Sequence, residues 1–145
     1  MKLRQIQVAE IDLEALVKRA VEFHGHLGPY LTCGLRMGLL ALRLLDSRGF
    51  SDLMIVAETG AEPPVSCLVD GLQIATGCTL GKGNIALWGG SHPRVLFRQD
   101  QQSVEIELHS EWAQHFAQMK GEDAAQRVLK ASDEELFTWR LLRLS

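Results

Sequence analysis

The chain has 145 residues and a formal net charge of −3 at pH 7, with 46% hydrophobic and 23% charged residues. That length predicts one domain over 1–145, burying roughly 68–70% of its unfolded surface, so folding requires neither disulfides nor a structural metal. The charge leaves no electrostatic footprint for nucleic acid, and the most apolar stretch, Leu35 to Leu45, carries Arg36 and Arg43 and is too short to span a bilayer. Cys33, Cys67 and Cys78 are not spaced like a secreted disulfide framework, and the opening Met1-Lys-Leu-Arg-Gln-Ile-Gln7 offers no apolar signal core. The expectation is a cytoplasmic protein with reduced thiols.

Asp12 is placed to cap a helix in which Leu13, Leu16, Val17, Ala20 and Val21 follow helical spacing, and Gly25 is its stop. Pro29 suits the first turn of a second helix running to about Asp46, with an apolar stripe through Leu31, Leu35, Leu39, Leu42 and Leu45. Gly34 and Gly38 on that helix allow another backbone to approach closely, within the chain or across a dimer. Leu53 to Glu58 reads as a buried strand, and Pro63-Pro64 opens a third helix over about Val65 to Ala75 that Gly77 ends. Ile85 to Trp88 is a short strand followed by a Gly89-Gly90 turn, and Arg94–Gln99 with Val104–His109 forms a hairpin. Helical patterns follow over Glu111–Lys120, Asp123–Lys130 and from Asp133, the last with a Ser132/Glu135 capping box. Helices mixed with mostly antiparallel strands, without βαβ alternation, predict an α+β class with the sheet packed against several helices.

Two short segments concentrate the chemistry. In Phe23-His-Gly-His-Leu-Gly-Pro-Tyr30 two imidazoles flank a glycine at a helix end, so both are free to converge on one point. On the third helix Cys67 and Asp70 are three apart and share a face, and Cys67 sits in the first turn, where unpaired N–H groups and the dipole favour thiolate. His24, His26 and Cys67 would supply three protein ligands of a metal site with its fourth position open. Cys78 lies eleven residues beyond Cys67, about 15 Å away at helical rise, so the two sulfurs do not share one metal. Packing stands as the alternative role for either cysteine, since free cysteine is among the most buried residue types. Gly77-Cys-Thr-Leu-Gly-Lys-Gly83 has the wrong spacing and the wrong element order for a phosphate loop, though its glycine N–H groups and Lys82 suit an anionic group. His92, His109 and His115 read as structural or surface residues, and Trp112, Phe116 and Met119 as core or interface.

Together, Phe23–Tyr30 with Gly34-Leu-Arg-Met-Gly38, then Pro63-Pro-Val-Ser-Cys67 through Asp70-Gly-Leu-Gln73 to Thr76-Gly-Cys-Thr-Leu-Gly-Lys-Gly-Asn84, resemble the FmdE family, named for a component of formylmethanofuran dehydrogenase. The resemblance spans about 20–90 and implies an α+β core domain that commonly forms homodimers. It implies a metal-capable site with His24, His26 and Cys67 as ligands, Cys67 and Asp70 as the catalytic pair, and Gln73, Thr76, Cys78 and Lys82 shaping a cofactor pocket. Zinc is the expected metal, with nickel or iron as alternatives, and the expected partner is a small molecule or metal-cofactor fragment. Many relatives have cysteine where this chain has Gly28, and many append a cysteine-rich zinc finger, whereas no cysteine follows Cys78 here. Three readings stay open: a metal-dependent enzyme, a non-catalytic accessory module of molybdenum or tungsten enzyme pathways, or a purely structural role in which the glycines and cysteines serve close packing in a dimer.

Overall fold

A computed structural model describes residues 4–143. The first three residues of the segment read as lacking a signal core, and the last two of the expected domain, lie outside them.

A 3-10 turn over Val8–Glu10 leads into α1, Leu13–His24, whose Asp12 side chain accepts from the Ala15 N–H at 3.2 Å. Gly25 ends it at φ 107°, a left-handed conformation that glycine adopts without a Cβ penalty. The second helix, α2, Pro29–Leu45, buries residues on nearly every side. One face joins the main core with the sheet, and the other, through Leu31 and Leu35, meets Leu16 and Ala20 of α1. A helix enclosed on two sides keeps only a narrow polar stripe, here Arg36 and Arg43, which explains its otherwise near-continuous apolar sequence.

The five strands are β1 (Met54–Ala57), β2 (Ile85–Leu87), β3 (Arg94–Gln99), β4 (Gln102–Leu108) and β5 (Phe137–Arg143). They form one sheet in the order β2-β1-β3-β4-β5, in which only β1 and β2 run parallel. Ile55, Ala57, Val95, Phe97, Val104 and Ile106 alternate inward and are fully buried. The fold is therefore α+β with a mostly antiparallel sheet, as the mixed pattern of elements predicts.

The expected helix from Asp133 is corrected. Helix α6 covers only Asp133–Leu136, and the chain then extends as β5 against β4, from Leu108↔Phe137 to Gln102↔Arg143. The capping box is formed in full, but Phe137-Thr-Trp-Arg-Leu-Leu-Arg143 alternates at a strand period, and β4 would otherwise expose an unpaired edge. The intervening helices are α4, Glu111–Ala117, and α5, Gly121–Lys130. Arg36 of α2 anchors the end of α5, donating to the carbonyls of Val128 and Leu129 at 2.9 and 3.2 Å and to Asp133 at 3.1 Å.

Helix α3, Cys67–Thr76, starts two residues later than the expected Val65, because i→i+3 bonds from Cys67 to Pro64 and Leu68 to Val65 form a tighter opening turn. It lies directly on α2. A Cβ on Gly34 would sit 2.9 Å from the Leu68 carbonyl carbon and 3.0 Å from the Gly71 Cα; one on Gly38 would sit 2.8 Å from the Ala75 Cβ. The glycine pair thus serves contact between helices of one chain, and Gly71 of α3 answers it from the other side.

Candidate functional site

The contact between α1, α2 and α3 sets the site. His24 is the last residue of α1 and Asp70 lies in the first turn of α3, and the packing of the two helices brings His24 Nδ1 to 2.5 Å from Asp70 Oδ2. The His24 side chain is 10% exposed, and its Nε2 is buried with no hydrogen-bond partner among the described residues. A carboxylate against Nδ1 accepts the proton that this nitrogen carries, so the neutral tautomer that keeps the contact has its lone pair on Nε2. A buried polar atom left unpaired costs about 1–3 kcal/mol, so this nitrogen is poised for a partner.

His26 follows the left-handed Gly25, and its ring lies over that of His24, centroids 4.7 Å apart and tilted 36°. Gly28, the extended residue before α2, faces it: a Cβ there would lie 3.2 Å from His26 Nε2. His26, Gly28 and Cys67 line one cavity of about 350 Å³. The structure therefore brings His24, His26, Cys67 and Asp70 to one end of α3. As the side chains stand, no three His, Cys, Asp or Glu groups among the described residues converge closely enough to hold a metal ion. The ring of His26 is exposed, whereas His24 is held by Asp70.

The expected lowering of the Cys67 thiol pKa is also corrected. Burial pushes the thiol up and the Asp70 carboxylate pushes it further, against a smaller opposing backbone hydrogen bond. Position at the start of α3 does not overcome a neighbouring anion on the same helix face.

Gln73 and Thr76 lie toward the C-terminal end of α3, about 9 and 14 Å from Cys67 by helical rise, and Cys78 and Lys82 follow that end. Each holds the loop that follows. The Gln73 side chain accepts from the Leu80 N–H at 3.0 Å, and the Thr76 hydroxyl donates to the Leu72 carbonyl at 2.7 Å and accepts from the Cys78 N–H. The Cys78 thiol is buried 3.6 Å from the Leu53 carbonyl. Lys82 donates to the Gly77 and Phe50 carbonyls at 2.6 and 3.3 Å, so its ammonium closes the C-terminal end of α3. Of the other histidines, His109 pairs with the Glu134 carbonyl at 3.1 Å, while His92 and His115 are exposed.

Residues expected from the sequence in the core or an interface complete the cavity. Phe116 and Met119 form its far wall, with Tyr30 packed edge-on to Phe116 at 5.3 Å between centroids. Their helical spacing alone reads as ordinary packing, and nothing local ties residues 113–121 to a histidine some ninety positions earlier. Trp112 is half-buried against the core and donates its indole N–H to the Glu135 carbonyl at 2.8 Å.

The sequence model of the family described as "FmdE, Molybdenum formylmethanofuran dehydrogenase operon" matches residues 23–138. The chain belongs to the FmdE family. The matched segment encloses both halves of the site and the far wall of the cavity. A curated relative from Archaeoglobus fulgidus, named a probable S-adenosyl-L-methionine-binding protein, is 32% identical over 107 residues. That alignment covers 68% of this chain but only 28% of the relative, so the chain spans little more than a quarter of that protein. The crystal structure of a tungsten formylmethanofuran dehydrogenase FmdE-like protein from Syntrophus aciditrophicus, at 1.90 Å resolution, superposes with a TM-score of 0.73. It is 21% identical, with 99% of this chain and 78% of that one covered, and shows that the two share a fold.

Proposed function

We propose that this FmdE-family chain binds a transition metal ion, zinc first with nickel or iron as alternatives, through His24 Nε2, His26 and Cys67. The observation that carries the proposal is His24: buried, bonded to Asp70 through Nδ1, and unpartnered at Nε2. A histidine that ligates a metal through one nitrogen almost always gives its other N–H to a carboxylate, carbonyl or water, which fixes the tautomer and raises its basicity. A purely structural histidine at 10% exposure gains nothing from an orphaned nitrogen. Convergence of the donor set asks for rotation of the His26 side chain, which is exposed and follows a glycine, while His24 and Asp70 keep their places.

In this reading Asp70 orients His24 and holds the Nδ1 proton. Cys67 contributes sulfur on losing its proton, a loss that its raised thiol pKa makes dependent on the incoming ion. An ion held there supplies Lewis-acid chemistry at an open position. A cytoplasmic, reducing setting belongs to the same proposal, because Cys67 is a free thiol and has to stay one to ligate. Assembly as a homodimer is part of it too; Gly34 and Gly38 are already occupied by α3, so a second copy would dock elsewhere. Among the described residues no helix is long and apolar enough to cross a membrane.

Cobalt(II) tests the ligand set. Titration of the metal-free protein is expected to produce a near-ultraviolet sulfur-to-cobalt absorption band that Cys67→Ser lacks, while both proteins retain the same circular dichroism. An unchanged band in Cys67→Ser removes Cys67 from the site.

A further inference from the structure

The cavity beside His26 and Cys67 is lined by two kinds of group. Its polar side-chain groups are the His26 imidazole, the Cys67 thiol and the Tyr30 hydroxyl. The rest of its wall is Pro29, the Tyr30 ring, Pro64, Phe116 and Met119, with small residues between. Among the described residues no carboxylate, ammonium or guanidinium lines it, although charged residues are common on the surrounding surface. A volume of about 350 Å³ lies within the range of small-ligand sites, toward the low end. In the metal-free protein a charged organic group seated against this wall would find no side chain of opposite charge to pair with it.

Gly28 adds a second observation. Its backbone is extended, at φ −139°, a conformation open to any residue, so no turn demands glycine here. What its missing side chain does is leave space: a Cβ would stand 3.2 Å from His26 Nε2. The absence of a side chain therefore extends the apolar cavity up to the imidazole.

We propose that this cavity seats a small, uncharged molecule with a short hydrocarbon body, such as an alcohol or aldehyde of a few carbons. The hydrocarbon lies against Phe116 and Met119 beside the Tyr30 ring, and the oxygen reaches past Gly28 toward His26 and Cys67. The proposal rests on the reading of these residues as the reacting end of the site, and it specifies what that site takes. It separates the chain from what the name of its Archaeoglobus fulgidus relative describes, because S-adenosylmethionine carries a carboxylate, an ammonium and a sulfonium that this lining does not answer.

Met119 provides the measurement. The sequence holds four methionines. Methyl-13C labelling therefore gives few signals; Met119 is assigned by its loss in Met119→Leu, and Met54, exposed on the sheet, serves as the reference. Metal-free protein is titrated at one fixed pH with propanol, butanol and pentanol, then with valerate, pentylammonium and S-adenosylmethionine. The expected result is a saturable shift of Met119 but not Met54. Affinity should rise about three- to fourfold per added methylene, and both charged five-carbon compounds should bind at least tenfold more weakly than pentanol. Gly28→Ala, which the backbone tolerates, should weaken the alcohols by narrowing the approach to His26, and Phe116→Ala should flatten the chain-length dependence. Absence of a saturable Met119 shift with the alcohols, equal binding of valerate, or tighter binding of S-adenosylmethionine overturns the proposal. Because the protein is metal-free throughout, these outcomes are independent of whether the ion binds, which the cobalt titration decides separately.

Discussion

Gly71→Ala is expected to destabilise the protein by roughly 3 kcal/mol or more and to lower its Tm by about 10 °C. The position is buried where α3 crosses α2, and a Cβ would sit 2.7 Å from the Leu35 backbone nitrogen and 2.9 Å from the Gly34 carbonyl carbon. Those neighbours are backbone on a helix that is itself enclosed, so no side chain can rotate away to make room. Relief requires the two helices to separate, which opens the contacts that Leu68, Leu72 and Ala75 make with the core. Helix propensity works in the opposite direction, favouring alanine by about 1 kcal/mol, and is too small to compensate. Gly81→Ala is the control: no atom lies within 4 Å of its Cβ position, so the change should stay within about 0.5 kcal/mol. The same displacement of α3 would carry Cys67 and Asp70 away from His24. Thermal melts of the three proteins check the ranking, and a Gly71→Ala protein as stable as wild type would contradict the packing described.

Asp70→Asn is expected to weaken metal binding about tenfold, and Asp70→Ala by up to about a hundredfold, without loss of fold. The asparagine keeps the shape and a neutral acceptor for His24 Nδ1, but removes the charge that makes Nε2 a better donor. A second readout moves the opposite way. The Asp70 carboxylate contributes to the raised Cys67 thiol pKa, so Asp70→Asn should lower that pKa and speed alkylation of Cys67 in the metal-free protein. Cys33 and Cys78 are buried, which leaves Cys67 as the accessible thiol. Chelator competition and alkylation rates together separate this role from simple support: slower alkylation, or unchanged metal affinity, would show that the carboxylate does not act on these two side chains.

Much of the scaffold can be read locally because its signals are local. Asp12, Gly25, Pro29 and Gly77 mark helix ends through capping and backbone conformation, and each marks one in the structure. The strand at Phe137–Arg143 is different. Its identity comes from pairing with β4, a neighbour some thirty residues away, and the capping box just before it points toward a helix that lasts one turn. The site divides in the same way. His24-Gly-His26 with Cys67 and Asp70 stands out because imidazole, thiol and carboxylate next to glycine are rarely needed for packing, and the fold brings them together. Gln73, Thr76, Cys78 and Lys82 continue from Cys67 and Asp70 along the chain, and their hydrogen bonds to the segment after α3 depend on how that segment turns back, which no local spacing shows. The hydrocarbon wall of Phe116 and Met119 has no signature of its own, since apolar residues at helical spacing look the same facing a cavity or a core. Likewise, the Cys67 thiol pKa follows from burial and Asp70 rather than from position on the helix, and burial is a tertiary property.

Whether His24 Nε2 holds an ion is answered by elemental analysis. Tag-free protein purified without added metal should be compared with His24→Ala and Cys67→Ala, with circular dichroism recorded for all three. About one transition metal ion per chain is expected in the wild type, lost in both variants with the fold unchanged. A wild type that carries no metal, even after incubation with zinc, nickel and iron(II), or a His24→Ala protein that keeps its full complement, would contradict it.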